Sequence, residues 1–275
     1  MIDIDFLVIA ATFVGFFVIL GAGLNLQWGM AGLANFGPVG FFAVGAYVTG
    51  LAMTPPPEDG GVQIDTSLFT LGLPWPVAAL LAASATAAVA LVVGYALLRT
   101  DIEPIFMAVI TLAFAEILFL LLITQDWLAN GFNGIRGIDR PLDNLVTYEH
   151  YDRLFLVFVA VVAVTAVAFV RLVQASPYGR VLKGIREDAE AIESLGHDIR
   201  WFRLSAFVLG CMIISLAGAL WAPYATVVEP SAFGTEQTFL IWSVLIIGGA
   251  GNALGPVVGA ALLIGLVQQG TRFLP

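Results

Sequence analysis

Hydrophobic positions run continuously along this chain in long windows instead of alternating with polar ones. Windows of about 20 apolar residues, the length that crosses a hydrocarbon core as a helix, begin near Phe6, Gly37, Pro76, Ile105, Leu154 and Leu204. A seventh runs from Phe239 to Val267 and is interrupted by GGAGNALGP at 248–256, so it reads either as one kinked span or as two shorter elements. Seven or eight passes follow. Helices are preferred to a barrel, because no period of two runs through the windows and lipid tolerates no open sheet edge. The predicted fold class is all-α: a polytopic membrane helical bundle with broken segments, one domain over residues 1–275. MIDID lacks the basic start of a cleaved signal, so the first span is expected to stay.

Two places in the pattern ask for an explanation. LNLQWGMAGLANFGPVGFFAVGAYVTG, residues 24–50, is apolar enough to enter a membrane yet carries six glycines, a proline and the amides of Asn25, Gln27 and Asn35. Breaks at membrane depth are tolerated where backbone lines a cavity or is buried in protein. These three amides, with Asn133 in the loop 125–153, are therefore expected on the translocation path, where water satisfies them. The second place is Glu116, the acid well inside the window TLAFAEILFLLLIT. A carboxylate there must face the bundle or an aqueous cavity. It reads either as a polar group on the substrate path or proton carrier, or as a packing hydrogen bond.

Composition agrees: 60% hydrophobic residues, 11% charged residues and a mean hydropathy of +0.96 lie outside the range of soluble domains. Catalytic parts are missing from the sequence. His150 and His197 fall in different loops, GGAGNALG lacks the lysine and hydroxyl of a phosphate-binding loop, and the single cysteine, Cys211, lies in an apolar window. Neither an enzyme nor a metal site is expected. A lone intramembrane acid also argues against a proton-coupled carrier, which relays charge through several such groups. The net charge of −9 fits a saline habitat or chance composition.

Six of the eleven Lys and Arg residues fall in 171–203, which places that loop in the cytoplasm. Alternation then puts the turn RTDIEP at 99–104 inside, the loops 54–75 and 125–153 outside, and the N-terminus outside. Arg136, Arg140 and Arg153 dilute the bias. Within the cytoplasmic loop, Ser176 suits an N-cap, Pro177 the first helical position and Gly196 the position after the end, which predicts one helix over about 177–194. Tyr178, Val181, Leu182, Ile185, Ala189 and Ile192 form its apolar side. Its basic residues come first and its acids last, against the helix dipole. This is expected to be a docking surface for another protein, anchored by Leu182 and Ile185, not a helix lying on headgroups.

Gly179, Arg180, IRED at 185–188, Ala191 and SLG at 194–196 resemble the coupling loop of the M-type permease subunit, the LivM family, of branched-chain amino acid ABC importers. LNLQWGMAGLANFG, FMAVITLAFAEI at 106–117, NGFNGI at 130–135 and GGAGNALGPVVGA at 248–260 are similar to further segments of that family, so the resemblance covers most of the chain. It implies one half of a transmembrane pathway in the prokaryotic plasma membrane, completed by a sister permease, two cytoplasmic ATP-binding subunits and a solute-binding protein. ATP and magnesium would sit on the ATPase partner, and no nucleic acid is implied. Gly179, Arg180, Leu182, Ile185, Arg186, Glu187, Ala191, Leu195 and Gly196 would form the coupling surface. Urea, amide and sugar permeases are related, and a stand-alone channel or secondary carrier is the alternative class. Two departures stand out: Phe119 replaces an arginine common three residues after the central glutamate, and the sequence ends at TRFLP where the family continues into another apolar segment and a basic tail. The latter reads as a shortened or a divergent C-terminus.

Overall fold

The first apolar window forms α1 (Ile4–Leu24), which runs on without interruption into a wider π-helical turn, Asn25–Met30. A computed structural model describes residues 4–55, 70–99, 103–143 and 148–268. Much of the expected loop 54–75, and the TRFLP end, lie outside the described residues. After an irregular stretch α2 (Pro38–Met53) begins with proline in its first turn, a position where the missing N–H costs no hydrogen bond. There follow α3 (Trp75–Leu98), α4 (Pro104–Thr124), the short α5 (Asp126–Ala129) and α6 (Tyr148–Ala175). Next come α7 (Pro177–Glu187), α8 (Ala189–Ser194) and α9 (Ile199–Ala225). The last elements are α10 (Thr235–Gly248) and α11 (Gly255–Ala260), the latter continued by a second π-helical stretch, Ala261–Gln268.

Among the described residues five helices are long and apolar enough to cross a membrane: Ile4–Met30, Trp75–Leu98, Pro104–Thr124, His150–Ala175 and Ile199–Ala225. Three shorter apolar helices join them, Pro38–Met53, Thr235–Gly248 and Gly255–Gly265. The interrupted window at 239–267 is thus two elements, broken where Gly249 and Gly251 take positive φ values of 92° and 88°.

α2 and α9 are the core of the bundle, with α1 and α3 packed around α9. Small residues permit the α2–α9 crossing: a Cβ on Gly45 would lie 2.8 Å from Ser215 Cα, and one on Gly218 would lie 2.6 Å from the Ala46 nitrogen. On α3 the buried face is Ala78, Ala82 and Ala90, whereas Leu80 and Val92 point outward. That inversion of the usual pattern suits lipid, where large apolar side chains need no burial. Away from α7, a two-stranded ribbon pairs β1 (Ile135–Arg136) with β2 (Val227–Val228), Ile135 opposite Val228.

Asp5 and Arg153 approach to 3.9 Å, which sets the start of α1 beside the start of α6. α7 follows the other end of α6, so the start of α1 and the loop 176–198 lie at opposite ends of the bundle.

Candidate translocation and coupling site

The amides of residues 25–35 form two hydrogen-bonded groups, Asn25 with the break at 251–252, and Gln27 with Asn35. Asn25 donates from Nδ2 to the Asn252 carbonyl at 2.9 Å and accepts from the Gly251 N–H at 2.8 Å. Gln27 donates to the Phe207 carbonyl at 2.8 Å, lies 3.2 Å from Cys211 Sγ, and accepts from Asn35 Nδ2 at 2.9 Å. Asn35 accepts in turn from the Gly37 N–H at 2.8 Å, and its own carbonyl takes the Trp242 indole N–H at 3.0 Å. All three side chains are fully buried. Where water was expected to satisfy them, Asn25, Gln27 and Asn35 are closed off inside this chain and paired with protein groups. Asn25 and Asn35 satisfy backbone groups that the two breaks release, in place of water, and Gln27 ties Asn35 to the Phe207 carbonyl of α9. Gly29 keeps the breaks together, since a Cβ there would lie 2.6 Å from the Gly251 nitrogen.

Glu116 has a different setting. It sits twelve residues into α4, about 18 Å from that helix's start and 12 Å from its end. Its carboxylate is exposed on the chain's surface and accepts a hydrogen bond from Thr235 Oγ1 at 2.8 Å. Thr235 opens α10, a helix of 14 residues, about 21 Å, too short to cross a hydrocarbon core of about 30 Å. α10 therefore begins at membrane depth beside Glu116, and its other end, at Gly248, lies near α7. Among the described residues the partner of Glu116 is a hydroxyl and not a cation. Asn133 is exposed in the turn Gly131–Asn133, which packs against α4 and the turn Pro230–Phe233 that leads into α10.

The amphipathic segment 177–194 is two helices. Ser176 caps α7 by accepting from the Gly179 N–H at 3.2 Å, and Gly196, at φ 86°, follows the end of α8, as the sequence predicts. Asp188 breaks the segment: it takes φ −151° and ψ 98°, and its side chain accepts from the Ala191 N–H at 3.0 Å. The split relieves part of the charge conflict. Arg186 now lies in the last turn of α7 and Glu190 in the first turn of α8, where each complements its helix dipole.

The faces also change sides. Leu182 and Ile185 are buried inside this chain, where α7 packs on α6, α9 and the turn at Asn25–Met30. Expected as anchors for a docking partner, both side chains are instead taken up by this chain's own contacts. Gly179 is buried with them, and a Cβ on it would lie 3.0 Å from Gln174 Cα. Tyr178 stacks on Phe202 at 5.3 Å and shares a 2.7 Å hydrogen bond with Ser205; burial pushes its phenol above the ordinary range. The exposed surface carries Arg180, Glu187, Glu190, Ala191, Leu195 and Gly196, with Leu195 74% exposed. Beside it, α8 and the start of α9 enclose a cleft of about 760 Å³ lined by Glu190, Glu193, His197, Asp198 and Arg203.

Arg186 joins the two parts of the site. Its guanidinium donates to the Gly29 carbonyl in the π-helical turn, and Gln174 donates to the Gly251 carbonyl from the end of α6. Periodicity places Arg186 on the polar side of α7 but gives no hint of a partner 157 residues away. Among the described residues no group of three His, Cys, Asp or Glu could hold a metal ion.

A bundle with broken segments at membrane depth, an exposed carboxylate on one span and a charged helix pair at one end has the parts of a transport subunit. The family model for the permease component of branched-chain amino acid transport systems matches residues 6–275, and the chain belongs to that family. It is 30% identical, over 92% of its length, to the high-affinity branched-chain amino acid transport system permease protein LivM of Escherichia coli, and equally to that of Salmonella typhimurium. It spans 61% of the length of each of those two curated relatives. The probable branched-chain amino acid transport permease protein LivM of Methanocaldococcus jannaschii is 26% identical over 94% of this chain and 79% of its own. No solved structure matches.

Proposed function

We propose that this chain forms half of the translocation pathway of an ATP-driven importer in a prokaryotic plasma membrane, and that it carries small neutral solutes, in the first place branched-chain amino acids. A sister permease supplies the other half. Two ATP-binding subunits hold ATP and magnesium and carry out hydrolysis, which this chain does not perform, and a solute-binding protein delivers the substrate from outside. α7 and α8 face the cytoplasm and the N-terminus faces outward, as the excess of Lys and Arg at 171–203 favours.

The observation that carries this reading is the exposure of Glu116 at mid-span, beside the start of α10. A carboxylate on the outside of a membrane bundle is costly against lipid, so this face meets protein or water. The pathway at the junction with a second permease subunit provides both. The substrate class rests on the three relatives, each named for branched-chain amino acid transport.

Co-purification and uptake test the proposal together. A tagged chain expressed with its genomic neighbours should bring down ATPase chains and a second permease, and the reconstituted complex should take up labelled leucine, isoleucine or valine only with ATP and binding protein. Uptake by this chain alone, driven by an ion gradient, overturns it. ATP-driven uptake of urea or a sugar in place of leucine overturns the substrate assignment alone.

A further inference from the structure

α10 and α11 form a hairpin that is fastened to the rest of the chain at both ends of α10 and at its middle. Inside the hairpin backbone meets backbone: a Cβ on Gly248 would overlap the Gly255 carbonyl, and one on Gly259 the Val244 carbonyl. Packing that close makes the pair one stiff unit. At the start of α10, Thr235 donates its hydroxyl to Glu116. At the middle, Trp242 donates to the Asn35 carbonyl at 3.0 Å and stacks on Phe36 at 4.4 Å. Asn35 is bonded through Gln27 to α9, so Trp242 is held to the core of the bundle.

The third attachment is the tip, residues 249–254, and it is made from the α7 end of the bundle. Gln174, in the last turn of α6, donates to the Gly251 carbonyl. Arg186, in the last turn of α7, donates to the Gly29 carbonyl and lies against the tip, since a Cβ on Gly251 would be 3.2 Å from its Nη1. Asn25 adds the bond from the Gly251 N–H. Trp242 stands midway: it follows Thr235 by seven residues and precedes Gly249 by seven, about 10 Å of helix each way. α10 is bounded by an extended Gly234 before it and by positive-φ Gly249 and Gly251 after it, positions that absorb rotation of a stiff element. A helix held at its centre and hinged at both ends turns about that centre once its tip is freed.

We propose that Gln174 and Arg186 latch the tip of the α10–α11 hairpin, and that displacement of α7 frees it, so that α10 turns about Trp242 and its first turn shifts against Glu116. Both are positioning residues that act on the pathway through α10. The proposal rests on the reading that Glu116 lines the pathway and that α7 and α8 meet an ATPase. It adds which element carries the motion, where it pivots and which two side chains hold it.

Spin-label distances in the assembled transporter test it. Glu236→Cys, Ser243→Cys and Ala250→Cys are each paired with Val92→Cys on the exposed face of α3, and distances are measured with and without a non-hydrolysable ATP analogue; Cys211 is buried and does not compete for the label. In the parent the analogue should shift the distances from 236 and 250 and leave that from 243, beside the pivot, in place. With Gln174→Ala and Arg186→Gln combined, the nucleotide-free sample should already show the shifted distances, and the analogue should add nothing, because the latch is gone in both states. Arg186→Lys, which keeps a donor, should restore the dependence on nucleotide. Gln174 is half-buried and Arg186 exposed, so the double variant should accumulate; if it does not, Gln174→Ala alone decides. No shift in the parent, equal shifts at all three positions, or a variant that keeps the parent's nucleotide-free distances overturns the proposal. Uptake measured first on the same preparation separates the underlying reading: uptake that needs no ATP overturns that reading and the latch with it, whereas ATP-driven uptake with any of the three results above overturns the latch alone.

Discussion

Asn25 and Gly251, 226 residues apart in sequence, are joined by a 2.8 Å hydrogen bond from the Gly251 N–H to the Asn25 side chain. The bond ties the break after α1 to the break before α11, and the Asn25 amide returns the contact by donating to Asn252. Because the Asn25 side chain is fully buried and both of its partners lie in the other break, its loss is a folding matter before it is a transport matter.

Asn25→Ala should therefore lower the melting temperature and the amount of folded protein, with uptake falling in proportion. Losing the two part-buried hydrogen bonds costs about 0.5 to 1.5 kcal/mol each, a sizeable share of a marginal stability. Thermal unfolding in detergent alongside uptake per folded molecule checks this. Uptake per molecule that collapses at unchanged melting temperature would return Asn25 to the transport path.

Glu116→Ala should do the reverse. The side chain is exposed and its removal leaves only the Thr235 hydroxyl, itself partly exposed, to find another partner. Melting temperature should hold within a degree or two. Uptake should fall at least tenfold, with Glu116→Gln less severe because it still accepts from Thr235. Equal uptake by both variants and the parent would remove Glu116 from the pathway.

Ile185→Asp should prevent accumulation of the folded chain, and not merely uncouple it. An unpaired carboxylate in the space between α7, α6 and α9 costs several kcal/mol, beyond the loss of about 1.5 to 3 kcal/mol of apolar burial. Leu195→Asp, on the exposed tip, should fold normally and weaken ATPase binding tenfold or more if the docking surface lies on that side. Co-purification yields at matched membrane levels separate the two. Normal accumulation of Ile185→Asp would contradict the burial on which this rests.

Arg186→Gln should fold and still bind the ATPase while transporting less per ATP hydrolysed. The guanidinium is the direct link from α7 to the Gly29 carbonyl, and a hydrogen bond from a charged donor contributes about 1.5 to 3 kcal/mol. Parallel measurement of hydrolysis and uptake gives the ratio. A ratio equal to the parent's would mean that the contact only holds the helix in place.

Much of this architecture is legible in the sequence because the membrane simplifies the problem. A hydrocarbon layer about 30 Å thick demands apolar runs of fixed length, so the windows opening at Phe6, Pro76, Ile105, Leu154 and Leu204 correspond to α1, α3, α4, α6 and α9. Local chemistry likewise determines the cap at Ser176, the proline starts of α2 and α7, and the stop at Gly196, since each depends on neighbours within four residues.

Only the tertiary structure decided which face of each element is inside. Spacing shows that Leu182 and Ile185 share a side of α7, but whether that side meets a partner or this chain's own α6 and α9 depends on how the loop folds back. Amides in an apolar run must find partners, and the sequence cannot say whether these are water in a channel or the carbonyl of Asn252 and the N–H of Gly251. Glu116 is the converse case: an acid expected to turn inward or toward a cavity lies on the outer surface of the single chain, held by Thr235. Hydrophobicity fixes depth in the membrane through a one-dimensional pattern, whereas direction around each helix axis is set by contacts between residues as far apart as 29 and 186, which no local pattern records.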